Sequence, residues 1–324
     1  MKLSGRLKII LIVSVISIAL MVLEKYKVPA DTFFWRSIFD AGHIPLFGII
    51  SIAILRLLQT IWEQRFANPL IHYVIAFCLT GLLGLTTEII QYFTPRDADI
   101  GDIVTDGVGA VCFLGLYLTF DRRLPGSGIS LSRGQKYFIR FAVVILGLVA
   151  MIPTLNWIGA YIQRNNSFPE ICTFESTWEQ KFIFADNASL SIVPAPEIFG
   201  GINSNHVGRI DFKKSGNPAF IIAEPYPDWS GYDHLSFSVL SESPENLTLD
   251  FRINDRRHNN DYYDRFNRLL SIHPGLNRIR IPLKDVRMAP KTRQMNMQKI
   301  DLIILFAVKP ENDITIYLDN FRLE

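Results

Sequence analysis

The chain is 324 residues long, 49% of them apolar, and 33 Lys and Arg against 31 Asp and Glu leave a formal net charge of +2. That length accommodates two domains, and so small and mixed a charge excludes the basic footprint of a nucleic-acid partner. Cys78 and Cys112 lie in apolar runs and only Cys172 lies beyond them, which excludes a disulfide framework and matches no zinc spacing.

Long apolar runs fill residues 1 to about 160, and five of them approach the ~20 residues needed to cross a hydrocarbon core. The first, Leu7–Leu23, follows Lys2, Arg6 and Lys8. No small-x-small cleavage site precedes Glu24, so it reads as an uncleaved helix rather than a signal peptide. The second covers Ile44–Leu58, starting near Phe39, the third Ile71–Tyr92, the fourth Ile103–Phe120 and the fifth Tyr137–Ile158, which Pro153 kinks near its end. With the N-terminus in the cytoplasm, the inside segments carry Lys2, Arg6, Lys8, Arg56, Arg65, Arg122, Arg123, Arg133, Lys136 and Arg140. The outside segments carry Lys25, Lys27, Arg36, Arg96 and Arg164. Ten against five predicts N-in and C-out, with the basic loop Asp121–Arg140 as a cytoplasmic linker.

This topology brings the start of helix two, the end of helix three and the start of helix four to the outer surface. The polar hinge between helices three and four holds Glu88, Gln91, Arg96, Asp97, Asp99, Asp102 and Asp106. An Asp at a helix centre in lipid costs roughly 2.5–3.5 kcal/mol, so such groups normally face a bundle interior or water. Glu88 and Gln91 share one helical face, as do Asp102 and Asp106. Asp40 and His43 sit at the expected entrance of helix two. The glycines Gly81, Gly84, Gly107 and Gly109 allow close helix approach. The set offers an imidazole that titrates near neutrality, carboxylates to orient or share protons, and Arg96 to grip an anion. Asp97 and Asp99 read as solvated hinge residues. No H-E-x-x-H pattern supports a catalytic metal.

Asp40-Ala-Gly-His43, Glu88-x-x-Gln91, Pro95-Arg96, Asp102 and Gly107-x-Gly109-Ala110 together resemble the VanZ-like family of bacterial membrane proteins over residues 35–120. The chain departs from that pattern at Asp99 and Asp106, where Ser and Asn are frequent. The family takes its name from a teicoplanin-resistance protein, so the resemblance implies a cell-envelope role of glycopeptide-resistance type without an established reaction.

From Phe168 the texture changes to short alternating runs punctuated by Pro, Gly, Asn and Asp: residues 234–240, 246–253, 276–283, 299–308 and 313–323 read as strands of a β-sandwich. Trp229-Ser-Gly-Tyr232, Pro274-Gly-Leu-Asn277 and Leu318-Asp319-Asn320 resemble a galactose-binding-like jelly roll, similar to carbohydrate-binding modules. That resemblance implies a structural calcium shared by Glu175 and Asp319, with backbone carbonyls completing the six to eight oxygens needed. In the aromatic and polar stretch 255–266, Tyr262, Tyr263, His258 and Asp255, with Arg252 just before it, are the candidate sugar-binding residues. Trp229 and Phe266 read as core.

The expected architecture is a multi-pass α-helical membrane bundle followed by an all-β jelly roll. Its divisions are a four-helix membrane domain (1–123), a linker with the fifth helix (124–160) and an extracytoplasmic sandwich (161–324). Its partners are the bilayer of the bacterial cytoplasmic membrane and an envelope glycan or glycolipid. Two functions are open: a non-catalytic glycan-binding envelope protein, or a hydrolase or transferase working on a lipid-linked or cell-wall substrate through Asp40, His43, Glu88, Gln91, Arg96, Asp102 and Asp106. A transporter is disfavoured, because the cluster lies at one surface rather than mid-bilayer.

Overall fold

The computed structural model describes all residues except 1–5, 8, 11, 15, 16, 18–30, 63–67, 94–99, 127, 200–204 and 215. The expected first span therefore lies largely, and Arg96, Asp97 and Asp99 wholly, outside the described residues. The chain divides into two compact units, Met1–Ile158 and Gly159–Glu324.

The first unit is helical. Helix α1 runs Phe33–Ile61, α2 Leu70–Tyr92 and α3 Ile100–Leu118. All three are long and apolar enough to cross a membrane. Helix α4 (Arg133–Ala150) and α5 (Ile152–Ser167) make a fourth candidate span if counted together, bent by 44° at their junction. The bend falls where Pro153 cannot donate a backbone hydrogen bond and its ring crowds the preceding turn. Helix α4 starts on a capping box, Ser132 and Gln135 satisfying each other's backbone N–H groups.

Helix α1 begins about two turns earlier than its hydropathy suggests. The Thr32 hydroxyl accepts the Trp35 N–H at 3.3 Å and caps it. The polar residues Arg36, Asp40 and His43 dilute the apolar signal but leave the backbone ladder intact. Asp40 and His43 are thus well inside a helix rather than at its entrance.

Ile50, Ile54, Leu55 and Leu58 of α1 pack on Tyr73 and Ala76 of α2 and Leu114 of α3. Below this core Asp121 ties the helices together, accepting from the Tyr73 hydroxyl at 2.8 Å and the Gln59 amide at 3.3 Å. Val74, Ile89, Ile90, Val104, Phe138, Phe141 and Leu148 point outward and exposed. An apolar exterior of this extent suits lipid rather than water.

The second unit is an antiparallel β-sandwich of jelly-roll kind. Its strands are β1 (Glu170–Cys172), β2 (Ile183–Asp186), β3 (Ala188–Pro194), β4 (His206–Phe212), β5 (Ala219–Ala223), β6 (His234–Ser241), β7 (Leu247–Asp255), β8 (Phe266–Ile272), β9 (Gly275–Pro282), β10 (Ile300–Phe306) and β11 (Ile314–Leu323). One sheet has the order β3-β4-β11-β6-β9, with β1 also on β11; the other is β2-β5-β10-β7-β8. The inward faces meet in one core, where Phe237 stacks on Phe251 at 5.1 Å and on Phe321 at 4.6 Å. Trp229 and Phe266 belong to that core, and the Trp229 indole N–H donates to the Tyr226 carbonyl at 2.7 Å. Residues 159–167, the last turns of α5, belong to this unit. The Tyr161 hydroxyl bonds the Glu224 carboxylate, and the Arg164 guanidinium donates to the Glu224 carbonyl at 2.7 Å.

Helices α1 and α3 come close at Gly109, where a Cβ would stand 2.2 Å from the Ile44 carbonyl oxygen. Backbone cannot give way as a side chain can. We expect Gly109→Ala to lower stability by about 1–3 kcal/mol or more through overpacking. Gly107→Ala, facing open space, should be neutral or gain about 0.5–1 kcal/mol from helix propensity. Thermal unfolding of the detergent-solubilised chain separates the two.

Candidate functional site

The close approach at Gly109 sets the position of two side chains one turn away. His43 precedes Ile44 on α1, and Asp106 is three residues before Gly109 on α3. His43 Nδ1 lies 2.9 Å from Asp106 Oδ1, and the ring stacks on Phe47 one turn further along α1. An ionised Asp106 can only accept, and in that state the imidazole carries its proton on Nδ1. Nε2 then faces Asp102 Oδ2 at 3.8 Å. Asp102 and Asp106 thus bracket one imidazole from a single face of α3, as their spacing of four requires.

The third wall comes from α2. A Cβ at Gly84 would meet Asp106 Oδ2 at 2.6 Å, so the absent side chain makes room for this carboxylate. Asp106 is only 1% exposed, and its Oδ2 accepts no hydrogen bond among the described residues. Glu88, one turn beyond Gly84, is buried and interacts electrostatically with Asp106. Asp40 interacts in the same way with His43. It lines a cavity of about 260 Å³ with Phe33, Arg36, Ser37, Thr105 and Trp157. Ala41 and Thr105, which also line it, are sequence neighbours of His43 and Asp106. His43, Glu88, Asp102 and Asp106 therefore converge, with Asp40 beside them. Gln91 is half-buried a turn beyond Glu88. Arg36, which lines the cavity, is exposed and paired with Asp31 at 2.6 Å. Chemically, an oriented imidazole with a carboxylate on each side can accept and return a proton.

In the sandwich the five nominated residues separate into two groups. Asp255 and His258 point inward. Asp255, 1% exposed, receives Arg293 Nη1 and Nη2 at 2.6 and 2.7 Å and the Asn296 N–H at 2.6 Å. Arg293 also grips Asp264 through Nε at 2.5 Å and Nη2 at 3.0 Å. His258 Nδ1 is 3.0 Å from the Asp264 carbonyl, and its side chain is 5% exposed. These two residues hold the loop together and are not presented to a ligand. Arg293, Asp264 and Lys291 complete the arrangement and were not singled out from sequence. Arg293 is 38 residues from Asp255 in the chain, and no local spacing announces the pair. Tyr262 and Tyr263, by contrast, are 55% and 53% exposed and meet edge to face at 5.4 Å. Arg252 is half-buried on β7.

Glu175 and Asp319 have protein partners of their own. Glu175 accepts the N–H groups of Asn205 and His206 at 2.5 and 2.9 Å and faces His206 Nδ1 at 3.1 Å. Burial would raise its carboxyl, but these donors outweigh it and hold the group below the usual range. Asp319, fully buried, accepts the backbone and side-chain N–H groups of Asn320 at 2.7 and 2.9 Å. Among the described residues no group of three or more His, Cys, Asp or Glu side chains is placed to hold a metal.

No family model matches the chain, and no curated protein matches it. The resemblance to the VanZ-like family rests on its motif residues alone. Solved structures similar in fold include a family 11 carbohydrate-binding module from Clostridium thermocellum, in complex with a β-1,3-1,4-mixed-linked tetrasaccharide. It is 15% identical, over 48% of this chain and 93% of that one, with a TM-score of 0.37. An exo-β-agarase shows 15% identity over 48% of this chain and 25% of its own, with a TM-score of 0.37. A module specific for non-crystalline cellulose shows 12% identity over 48% and 94%, with a TM-score of 0.35. Likenesses of this size carry no argument about ligands.

The Arg293 clamp gives a testable expectation. Burial alone would raise the Asp255 carboxyl, but the Arg293 and Asn296 hydrogen bonds hold it below the usual carboxylate range. A depressed carboxyl contributes stability that is present above its unfolded pKa of about 3.9 and is lost as pH falls through the folded value. Arg293→Met strands a buried charge and should cost about 3–5 kcal/mol near neutral pH. The deficit should shrink in acid as Asp255 takes up a proton. Hydrogen exchange of β7 and β8 in the full chain, measured across pH, reads both effects.

Proposed function

We propose that this chain is a multi-pass protein of the bacterial cytoplasmic membrane whose C-terminal sandwich, on the outer side, binds an envelope glycan or glycolipid. The observation that carries the reading is the exposed Tyr262–Tyr263 pair on a loop clamped from below by Arg293. Exposed tyrosines on a rigid loop offer apolar faces and hydroxyls without an ordering cost on binding. The apolar exterior of α1 to α5 and the excess of Lys and Arg on the N-terminal side support membrane insertion with N-in, C-out topology. Membership of the VanZ-like family, with a role of glycopeptide-resistance type, belongs to the same proposal. The test is binding of the full chain in nanodiscs to a panel of envelope and plant glycans. Tyr262→Ala and Tyr263→Ala should each weaken the best ligand about tenfold, as loss of an aromatic anchor worth about 1.4 kcal/mol does. Absence of binding to every glycan by the folded chain would overturn the reading.

A second reading is favoured by the imidazole at the helical site: a hydrolase or transferase acting on a lipid-linked or cell-wall substrate. In it His43 Nε2 is the base, Asp106 orients the ring and Asp102 is the nearby acid. Substrate enters through the cavity lined by Asp40 and Thr105. His43→Ala, Glu88→Gln and Asp102→Asn should each abolish the cellular phenotype at unchanged membrane levels; full activity in all three would remove this reading.

A further inference from the structure

An unbalanced positive charge lies on the outer face of the five-stranded sheet. Phe251 and Ile253 point into the core, so alternation along β7 turns Arg252 outward, beside its register partner Asn267 on β8. Arg265, two residues before Asn267, stands near enough to Arg252 for the two charges to interact. Each guanidinium is steadied by a neutral amide: Arg252 Nε donates to Asn254 Oδ1 at 3.1 Å, and Arg265 Nε to Asn267 Oδ1 at 2.9 Å. Among the described residues neither has a carboxylate within salt-bridge distance, whereas Arg256 has one and Arg293 two. Asp250, on the same face, senses Arg265 without pairing with it. Burial first, and repulsion from Arg265 second, bring the Arg252 guanidinium down to about 10. Two neighbouring arginines, neither of them in a salt bridge, call for an anion between them.

The adjoining loop extends this charge. Arg265 lies over the Tyr262 ring at 5.0 Å, and Lys291 Nζ over the Tyr263 ring at 3.4 Å. The loop is fixed before any ligand arrives. The Tyr262 carbonyl accepts from Asn267, the Tyr263 N–H donates to Asp261, and the Tyr263 carbonyl accepts the Lys291 N–H at 3.0 Å. Aromatic surface and three cations are thus held together on one rigid edge.

We infer that Arg252, Arg265 and Lys291, with Tyr262 and Tyr263, form a site for an acidic glycan, one carrying carboxylate or phosphate groups. The inference rests on the sandwich being a glycan-binding domain and names the class of glycan. An anion between the guanidiniums relieves their repulsion, which a neutral sugar leaves in place, while the tyrosines take up the apolar C–H surface of the sugar.

The test uses the full chain in phosphatidylcholine nanodiscs with three soluble polymers: polygalacturonate, poly(glycerol phosphate) and a neutral β-glucan. We expect at least one acidic polymer to bind at least fivefold more tightly than the neutral one, with affinity falling as salt rises. Preference between the two acidic polymers assigns carboxylate or phosphate as the anion. Arg252→Gln and Arg265→Gln should each weaken acidic binding at least fivefold and leave thermal unfolding unchanged. Should Arg252→Gln unfold the sandwich, the exposed Lys291→Gln replaces it. Equal binding of the neutral polymer, indifferent to these substitutions, would overturn the acidic class while leaving the glycan reading standing. Binding of none of the three polymers, nor of any glycan in the wider panel, would remove both.

Discussion

A missing methyl group organises the helical unit. Because Gly109 has no Cβ, the α3 backbone can lie directly against the Ile44 carbonyl of α1. That contact fixes how far apart the two helices stand at His43 and Asp106, and hence the 2.9 Å between imidazole and carboxylate. A second absent side chain, at Gly84, lets the same carboxylate press against α2. In a low-dielectric interior a buried carboxylate is tolerable only with a donor at hand. The histidine that supplies it is thereby locked in one orientation, with its other nitrogen turned toward Asp102.

The sandwich is organised by the same demand acting on a different partner. Asp255 and Asp264 would be costly to bury alone, and Arg293 reaches both with its planar fork. The clamp draws the segment from Asp255 to Arg265 into a fixed loop, and the outward tyrosines inherit that rigidity. In the helical unit the paired charge has sequence neighbours, Ala41 and Thr105, that line a cavity. In the sandwich it is sealed beneath the surface, and the work passes to the residues it supports.

These two arrangements also differ in their counter-charges. Around His43 acid predominates, with Asp40, Asp102 and Asp106 near the imidazole and Glu88 near Asp106. On the outer sheet face and its adjoining loop it is base that predominates, through Arg252, Arg265 and Lys291.

Periodicity is local, and what it could express was legible in the sequence. The 3.6-residue apolar runs marked α2 and α3 nearly to their ends, and the break at Pro153 marked the bend between α4 and α5. Period-two alternation marked β6, β7, β9, β10 and β11 within about two residues. Shorter strands such as β1 and β2 gave too few alternations to be read. The face shared by Asp102 and Asp106 followed from helical spacing, and their meeting with His43 from counting spans. Tertiary structure alone decided which polar side chains turn inward. Asp255 and His258 look like ligand residues beside two tyrosines, and only folding brings Arg293 to them from the far side of two strands. Burial of a charge depends on partners distant in the chain, and no local pattern of residues encodes that distance.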